Sequence, residues 1–279
     1  MTEPFRLRVA YAVVGLGAWV ALRLFGLRRT VVRDNLRRSF PDWTPAQLRA
    51  VECEFARRQG EIAAEVLYAR RIGADELRKR VTIVNPEVLA GAGHPRPVML
   101  LGAHLCNFEW MVQRFSLEFG ERLVALYKPP RNPRTERWLR GLRSRFGARL
   151  VAAKSVLQEL ARMRDVAAIG MLADQVPRTS PEKHWLEFLR QDTAFYMGGE
   201  LLGRALRAQV CAVRMRRLAR GRYELTLEPL NQPGEKLPHG EVTARYARGL
   251  EAWIREDPAG WWWTHRRWKL QRKGMGDGG

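Results

Sequence analysis

From Pro97 to Ala173 the chain keeps switching between two kinds of hydrophobic spacing, and that alternation restricts its fold more than any other feature. Residues 98–101 form a continuous apolar run bounded by Pro97 and Gly102, short enough to be a buried strand. Beyond Asn107 the spacing becomes helical, with Phe108, Met111, Val112 and Phe115 on one side. Leu123–Tyr127, Arg149–Ala153 and Val166–Ala173 read as further strands, with helices at 133–146 and 155–164 between them. The second of these helices opens on Ser155 and Gln158 in capping-box spacing. Strands alternating with helices predict an α/β fold with a mostly parallel central sheet flanked by helices on both faces. Ligands of such sheets bind beyond the carboxyl ends of the strands. His104, Lys128 and Asp174 all fall at such ends.

The flanking regions are simpler. Residues 9–22 carry no charge but fall short of the ~20 residues that cross a bilayer. Extending the run to Phe5–Leu27 brings in Arg6, Arg8 and Arg23, which leaves a spanning helix and an interfacial one both open. More Arg follows this run than precedes it, which keeps the body of the protein on the cytoplasmic side. Thr44-Pro45-Ala46-Gln47 is a capping box opening a helix to about Arg58, with helical character continuing to about Arg71. A short helix at 74–80 and a strand at 81–84 follow. Residues 177–194 read as an irregular connection, and 198–207 as a helix. Gln209–Met215 and the alternating Tyr223, Leu225 and Leu227 read as an edge hairpin. An amphipathic helix occupies 241–256, and the Gly-rich end after Lys273 reads as disordered.

His104 and Glu109 sit where the first strand hands over to its helix. On one continuous helix, residues five apart point about 140° apart; across a strand-to-helix turn they can meet. Asn107 fits the N-cap of that helix, leaving free backbone N–H groups beside His104. An imidazole held by a carboxylate suits a general base, and with no Ser at the turn its natural target is a substrate hydroxyl. A buried His satisfied by a neighbouring acid would leave the same pattern.

His104-Leu-Cys-Asn-Phe-Glu109 resembles the His-x4-acid box of the membrane acyltransferases that esterify lysophospholipids, glycerol phosphate and lipid A precursors. Within that superfamily the chain is similar to the lipid A late acyltransferases of the lauroyl/myristoyl type, whose box commonly reads His-x-Gly-Asn-Trp-Glu. Tyr127-Lys128-Pro129 with Asn132-Pro133, Asp174-Gln175, and the closing Trp-Trp-Trp263-Thr-His265-Arg-Arg-Trp-Lys269 agree in order. The resemblance covers roughly residues 5 to 270. It implies a glycerol-phosphate-acyltransferase-like fold, with a membrane-associated N-terminal helix over 1–30, an acyltransferase domain over 31–273 and a disordered tail over 274–279.

The same resemblance implies His104 as base and Glu109 as its orienting carboxylate. Asn107, Lys128, Arg131, Arg149, Asp174, Gln175, His265, Arg266 and Arg267 are the candidate substrate contacts. Fatty acyl transfer to a hydroxyl of a lipid A precursor is the expected activity, with a lysophospholipid, aminolipid or glycolipid as the alternative acceptor, and with acyl carrier protein or coenzyme A carrying the donor chain. No other cofactor is expected, and the expected place is the cytoplasmic face of a bacterial inner membrane. Cys106 and Phe108 replace the Gly and Trp of the usual box, which puts acceptor and chain length in question rather than catalysis.

A net charge of +20 calls for an anionic partner: nucleic acid, an acidic membrane surface or an acidic protein. An acidic acyl carrier and anionic lipids meet that demand. Zinc spacing, an RNP-like aromatic strand and a basic recognition helix are all missing, so nucleic acid is not expected. Nor does the chain contain a Gly-x4-Gly-Lys-Ser/Thr or His-Glu-x-x-His run, so no nucleotide or metal site is expected. Cys53, Cys106 and Cys211 are too scattered for a disulfide framework. Cys106 is considered as a nucleophile only because it lies two residues from His104.

Overall fold

The computed structural model describes residues 4–23, 28–92, 96–163, 165–177, 182–232 and 235–272. The expected tail, 274–279, lies outside the described residues. The chain opens with α1 (Phe5–Ala10), a π-helical stretch (Tyr11–Gly15) and α2 (Leu16–Arg23), followed by α3 (Arg29–Ser39), α4 (Pro45–Tyr68) and α5 (Ala74–Arg80). Next come β1 (Val81–Ile83), β2 (Val98–Gly102), α6 (Phe108–Phe119), β3 (Leu123–Tyr127), α7 (Pro133–Arg143), β4 (Arg149–Ala152), α8 (Val156–Ala161) and β5 (Ala168–Leu172). The remainder is β6 (Lys183–Phe188), β7 (Gln191–Tyr196), α9 (Gly198–Ala205), β8 (Gln209–Ala219), β9 (Arg222–Pro229) and α10 (Glu241–Glu256).

Seven strands form one sheet in the order β1-β9-β8-β2-β5-β3-β4, parallel throughout except for the β8–β9 pair. All five residues of β2, at its centre, are buried, as expected of a strand covered on both faces. On one face lies α6, whose Met111 crowds the space above Gly102. The other face carries α9, where Gly199 lets the backbone close on Leu101, and α10, whose Tyr246 hydroxyl donates to the Gly102 carbonyl at 2.7 Å.

The α4 cap forms as its sequence predicts: Thr44 Oγ1 accepts from the Gln47 N–H, and Gln47 Oε1 accepts from the Thr44 N–H. Three expectations are corrected. Ser155 does not cap α8; its hydroxyl donates instead to the Ala152 carbonyl within a 3-10 turn. The connection read as irregular contains the antiparallel hairpin β6–β7, in register from Lys183↔Tyr196 to Phe188↔Gln191. The β8–β9 hairpin is not an edge, because β8 pairs with β2 and β1 covers β9.

The N-terminal helical stretch lies along α4. Gly15 and Gly60 touch backbone to backbone, so closely that a Cβ on Gly60 would sit 2.4 Å from the Gly15 oxygen. Its outer side exposes Phe5, Val9, Val13 and Leu16, a stripe at helical spacing. Among the described residues no helix is long and apolar enough to cross a membrane.

Candidate active site

The turn after β2 places the His104 imidazole at the carboxyl end of the sheet. Three strands later in the chain, the end of β5 delivers Asp174 beside it. Asp174 Oδ1 lies 2.7 Å from His104 Nδ1, and Oδ2 accepts both the His104 backbone N–H at 3.0 Å and the Trp261 indole N–H at 2.9 Å. Only 2% of Asp174 is exposed. Burial alone would raise its pKa, but the adjacent imidazole and the three hydrogen bonds outweigh it and hold the carboxyl at about 2. A carboxylate can only accept, so Nδ1 carries the proton and Nε2 is left as the basic nitrogen. The Gln175 amide, at 3.0 Å, donates to that nitrogen.

The expected partner of His104 is thereby corrected. Glu109 is buried in the first turn of α6, but its two oxygens are taken by Arg143, at 2.9 Å from Nε and 2.6 Å from Nη2. This bidentate pair ties α6 to the end of α7. Burial would lower the Arg143 pKa, yet the Glu109 carboxylate raises it further. Sequence spacing found a carboxylate near the imidazole but could not say which of two would reach Nδ1.

Asn107 does cap α6, its Oδ1 accepting the Trp110 N–H at 3.1 Å. Its amide donates to Glu65 at 2.8 Å and the residue is fully buried, so the expected substrate contact is replaced by a structural one. Glu65 was not foreseen. Deep in α4, it also accepts from the hydroxyls of Tyr11 and Tyr223, each at 2.7 Å, while burial pushes its pKa up. Only a folded chain could reveal this hub, because its partners come from three distant stretches.

Cys106 has φ +52°, a left-handed conformation that favours glycine, which explains why a Gly is at home at this turn. Burial pushes its thiol up to about 12, so it is no thiolate nucleophile.

The closing segment builds the outer wall. Leu105 and Trp261 form an antiparallel bridge, the Trp262 N–H donates to the His104 carbonyl at 3.0 Å, and the Cys106 N–H donates to the Gly260 carbonyl at 2.9 Å. The rings of Phe108 and Trp262 flank the imidazole at 4.9 and 5.6 Å. Trp262 is 37% exposed, whereas Trp261 and Trp263 are buried.

Beneath His104, between α6 and the sheet, lies a cavity of about 250 Å³. Its walls are apolar, with Leu100, Met111, Phe115 and Leu172 prominent, and Lys128, Arg143 and Gln175 join His104 on its lining. That volume exceeds the ~150 Å³ apolar cavity that takes up benzene.

Other expected contacts separate into those near the site and those away from it. Lys128 and Gln175 belong to it. Arg131 is exposed on the loop between β3 and α7. Arg149 is corrected: it begins β4, opposite Val124, at the end of the sheet away from His104, and donates to the Asp165 carbonyl. Arg267 is corrected as well. It is 2% exposed, donates to the Ala194 carbonyl at 2.7 Å and lies 4.5 Å over the Phe195 ring, with burial lowering its pKa to about 10. Arg266 is exposed, and burial lowers the pKa of His265 to about 4.

Together these features define a mixed α/β protein carrying a carboxylate-held imidazole at the carboxyl ends of parallel strands, over an apolar cavity. The chain belongs to the bacterial lipid A biosynthesis acyltransferase family, whose sequence model matches residues 4–270. A search of curated proteins returned no match.

Proposed function

We propose that this protein transfers a fatty acyl chain from an acyl thioester, carried by acyl carrier protein, to a hydroxyl of a lipid A precursor, as a late acyltransferase. The observation that carries the reading is the Asp174–His104 pair beside an apolar cavity. His104 Nε2 takes the proton of the acceptor hydroxyl, whose oxygen attacks the thioester carbonyl. The tetrahedral oxyanion collapses with cleavage of the C–S bond, and the departing thiolate receives the proton from the imidazolium. No acyl-enzyme forms in this scheme, because the site offers a base and an inert thiol.

Asp174 stabilises the imidazolium formed in the first step and fixes the tautomer. Gln175 holds Nε2 until the hydroxyl replaces it. Lys128 at the end of β3 is the cation placed to meet phosphate on donor or acceptor. The exposed stripe of Phe5, Val9, Val13 and Leu16 supports an interfacial rather than spanning helix, on the cytoplasmic face of the inner membrane. The net charge of +20 suits both anionic lipid and an acidic carrier.

Purified protein incubated with acyl carrier thioesters and lipid A precursor, followed by lipid mass spectrometry, tests the assignment. The expected product is the precursor heavier by one acyl group. His104→Ala lowers the rate by about 10²–10⁴ if the imidazole is the general base. A folded His104→Ala protein of undiminished turnover overturns the assignment.

A further inference from the structure

The cavity floor contains a glycine that backbone geometry does not require. Gly170 sits in the middle of β5 with no positive φ, and a glycine inside a central strand weakens it. A Cβ built on Gly170 would meet nothing within 4 Å. The contrast with its neighbours is sharp: a Cβ on Gly102 would lie 2.6 Å from Met111 Cε, one on Gly199 2.6 Å from Leu101, and one on Gly203 2.6 Å from Val210. Those glycines allow close packing. Gly170 leaves space.

The sheet register shows which space. One row across the sheet reads Cys211, Leu100, Gly170, Ala125, Leu150. The two smallest residues of the row are adjacent, and four of the five line the cavity. The next row toward the carboxyl ends pairs Gly102 with Leu172, where Met111 closes down from α6. Strand geometry puts the Gly170 row about 7 Å further from the His104 end than the Gly102 row. An extended alkyl chain crosses that depth in about six C–C bonds of ~1.5 Å.

We infer that Gly170, beside Ala125, sets the length of fatty chain the protein accepts. This deepens the acyl-transfer reading and rests on it: the donor's chain enters past His104, and its far end occupies the hollow that the missing side chain leaves. A side chain at 170 fills the hollow from the floor upward without displacing a neighbour. Leucine brings four carbons, so the preferred donor shortens by about four carbons, and alanine by about one, because a close-packed site conserves volume. Donors longer than the new optimum lose about fourfold in relative rate per methylene denied burial.

The test is a competition among saturated acyl carrier thioesters of even chain length, read by mass spectrometry of the acylated lipid, for the parent protein and for Gly170→Ala, Gly170→Val and Gly170→Leu. Thermal unfolding of each variant confirms folding. The expected result is a graded shift toward shorter chains in the order Ala, Val, Leu. An active, folded Gly170→Val or Gly170→Leu with the parent's chain profile overturns the inference and leaves acyl transfer standing. Should the larger variants prove inactive with every donor, the Gly170→Ala profile decides the matter. A folded parent protein that acylates nothing from any thioester sinks the acyl-transfer reading instead.

Discussion

Replacing Asp174 by Asn keeps the shape of the site and changes one proton. In the native arrangement Oδ1 faces His104 Nδ1, while Oδ2 faces two donors, the His104 backbone N–H and the Trp261 indole. An amide has a single oxygen, and serving the two N–H donors turns its NH₂ group toward Nδ1. The imidazole must then accept there and carry its proton on Nε2, the tautomer that cannot take a proton from a hydroxyl. The adjacent imidazole and the hydrogen bonds hold the Asp174 carboxyl at about 2, below its ordinary 3.8, so the native partner of the ring is a full carboxylate. Loss of a general base costs about 10² or more in rate. Complete locking of the wrong tautomer costs about 10⁴ in serine-protease triads. Steady-state acyl transfer by Asp174→Asn should therefore fall between about 10² and 10⁴ in kcat, with KM for the thioester little changed and thermal unfolding near that of the parent. A folded Asp174→Asn enzyme within tenfold of parental kcat would refute the pairing as the source of basicity.

Glu109→Gln should behave differently, because it strands the Arg143 guanidinium in a mostly buried place. Unfolding by urea should show a loss of about 3–5 kcal/mol, the usual cost of breaking a buried pair. Cys106→Gly should stay within about 1 kcal/mol of the parent and retain activity, whereas Cys106→Val, β-branched at φ +52°, should lose about 2 kcal/mol or more in the same assay. Iodoacetamide at mildly alkaline pH should leave Cys106 of the folded protein unmodified, since its thiol is held near 12. Burial lowers His265 from 6.5 to about 4, so the folded state resists its protonation. The corresponding stability is complete above the unfolded value and drains away as pH falls from 6.5 toward 4. His265→Asn should flatten unfolding midpoints across that window, while the Asp174 contribution disappears only at lower pH.

The sheet was readable because its strands are short apolar runs between helix signals, as in Leu123–Tyr127 before Pro133–Arg143. The hairpin at 183–196 escaped because its strands lie on a two-stranded sheet of their own, with partly buried, polar-rich faces that lack clean alternation. His104 and Asp174 were both legible as residues at strand ends, yet their contact was not. Strand order is a tertiary property: β2 and β5 are neighbours in space with two other strands between them in sequence. Without that order, Glu109 five residues away looked the nearer carboxylate. Arg267 was misjudged for a related reason, since an Arg in a run of Trp and basic residues gives no hint that its guanidinium turns inward onto Phe195.

The bridge between Leu105 and Trp261 also bears on synthesis of the chain. During translation the whole parallel sheet emerges before the ribosome reaches the residues that clamp the imidazole and donate to Asp174. A nascent chain ending at Asp257 would already own its base, its carboxylate and its apolar hollow. It would nonetheless lack the indole and backbone groups that align them. Alignment of the site is therefore completed only once Gly260, Trp261 and Trp262 have folded back onto the turn that carries His104.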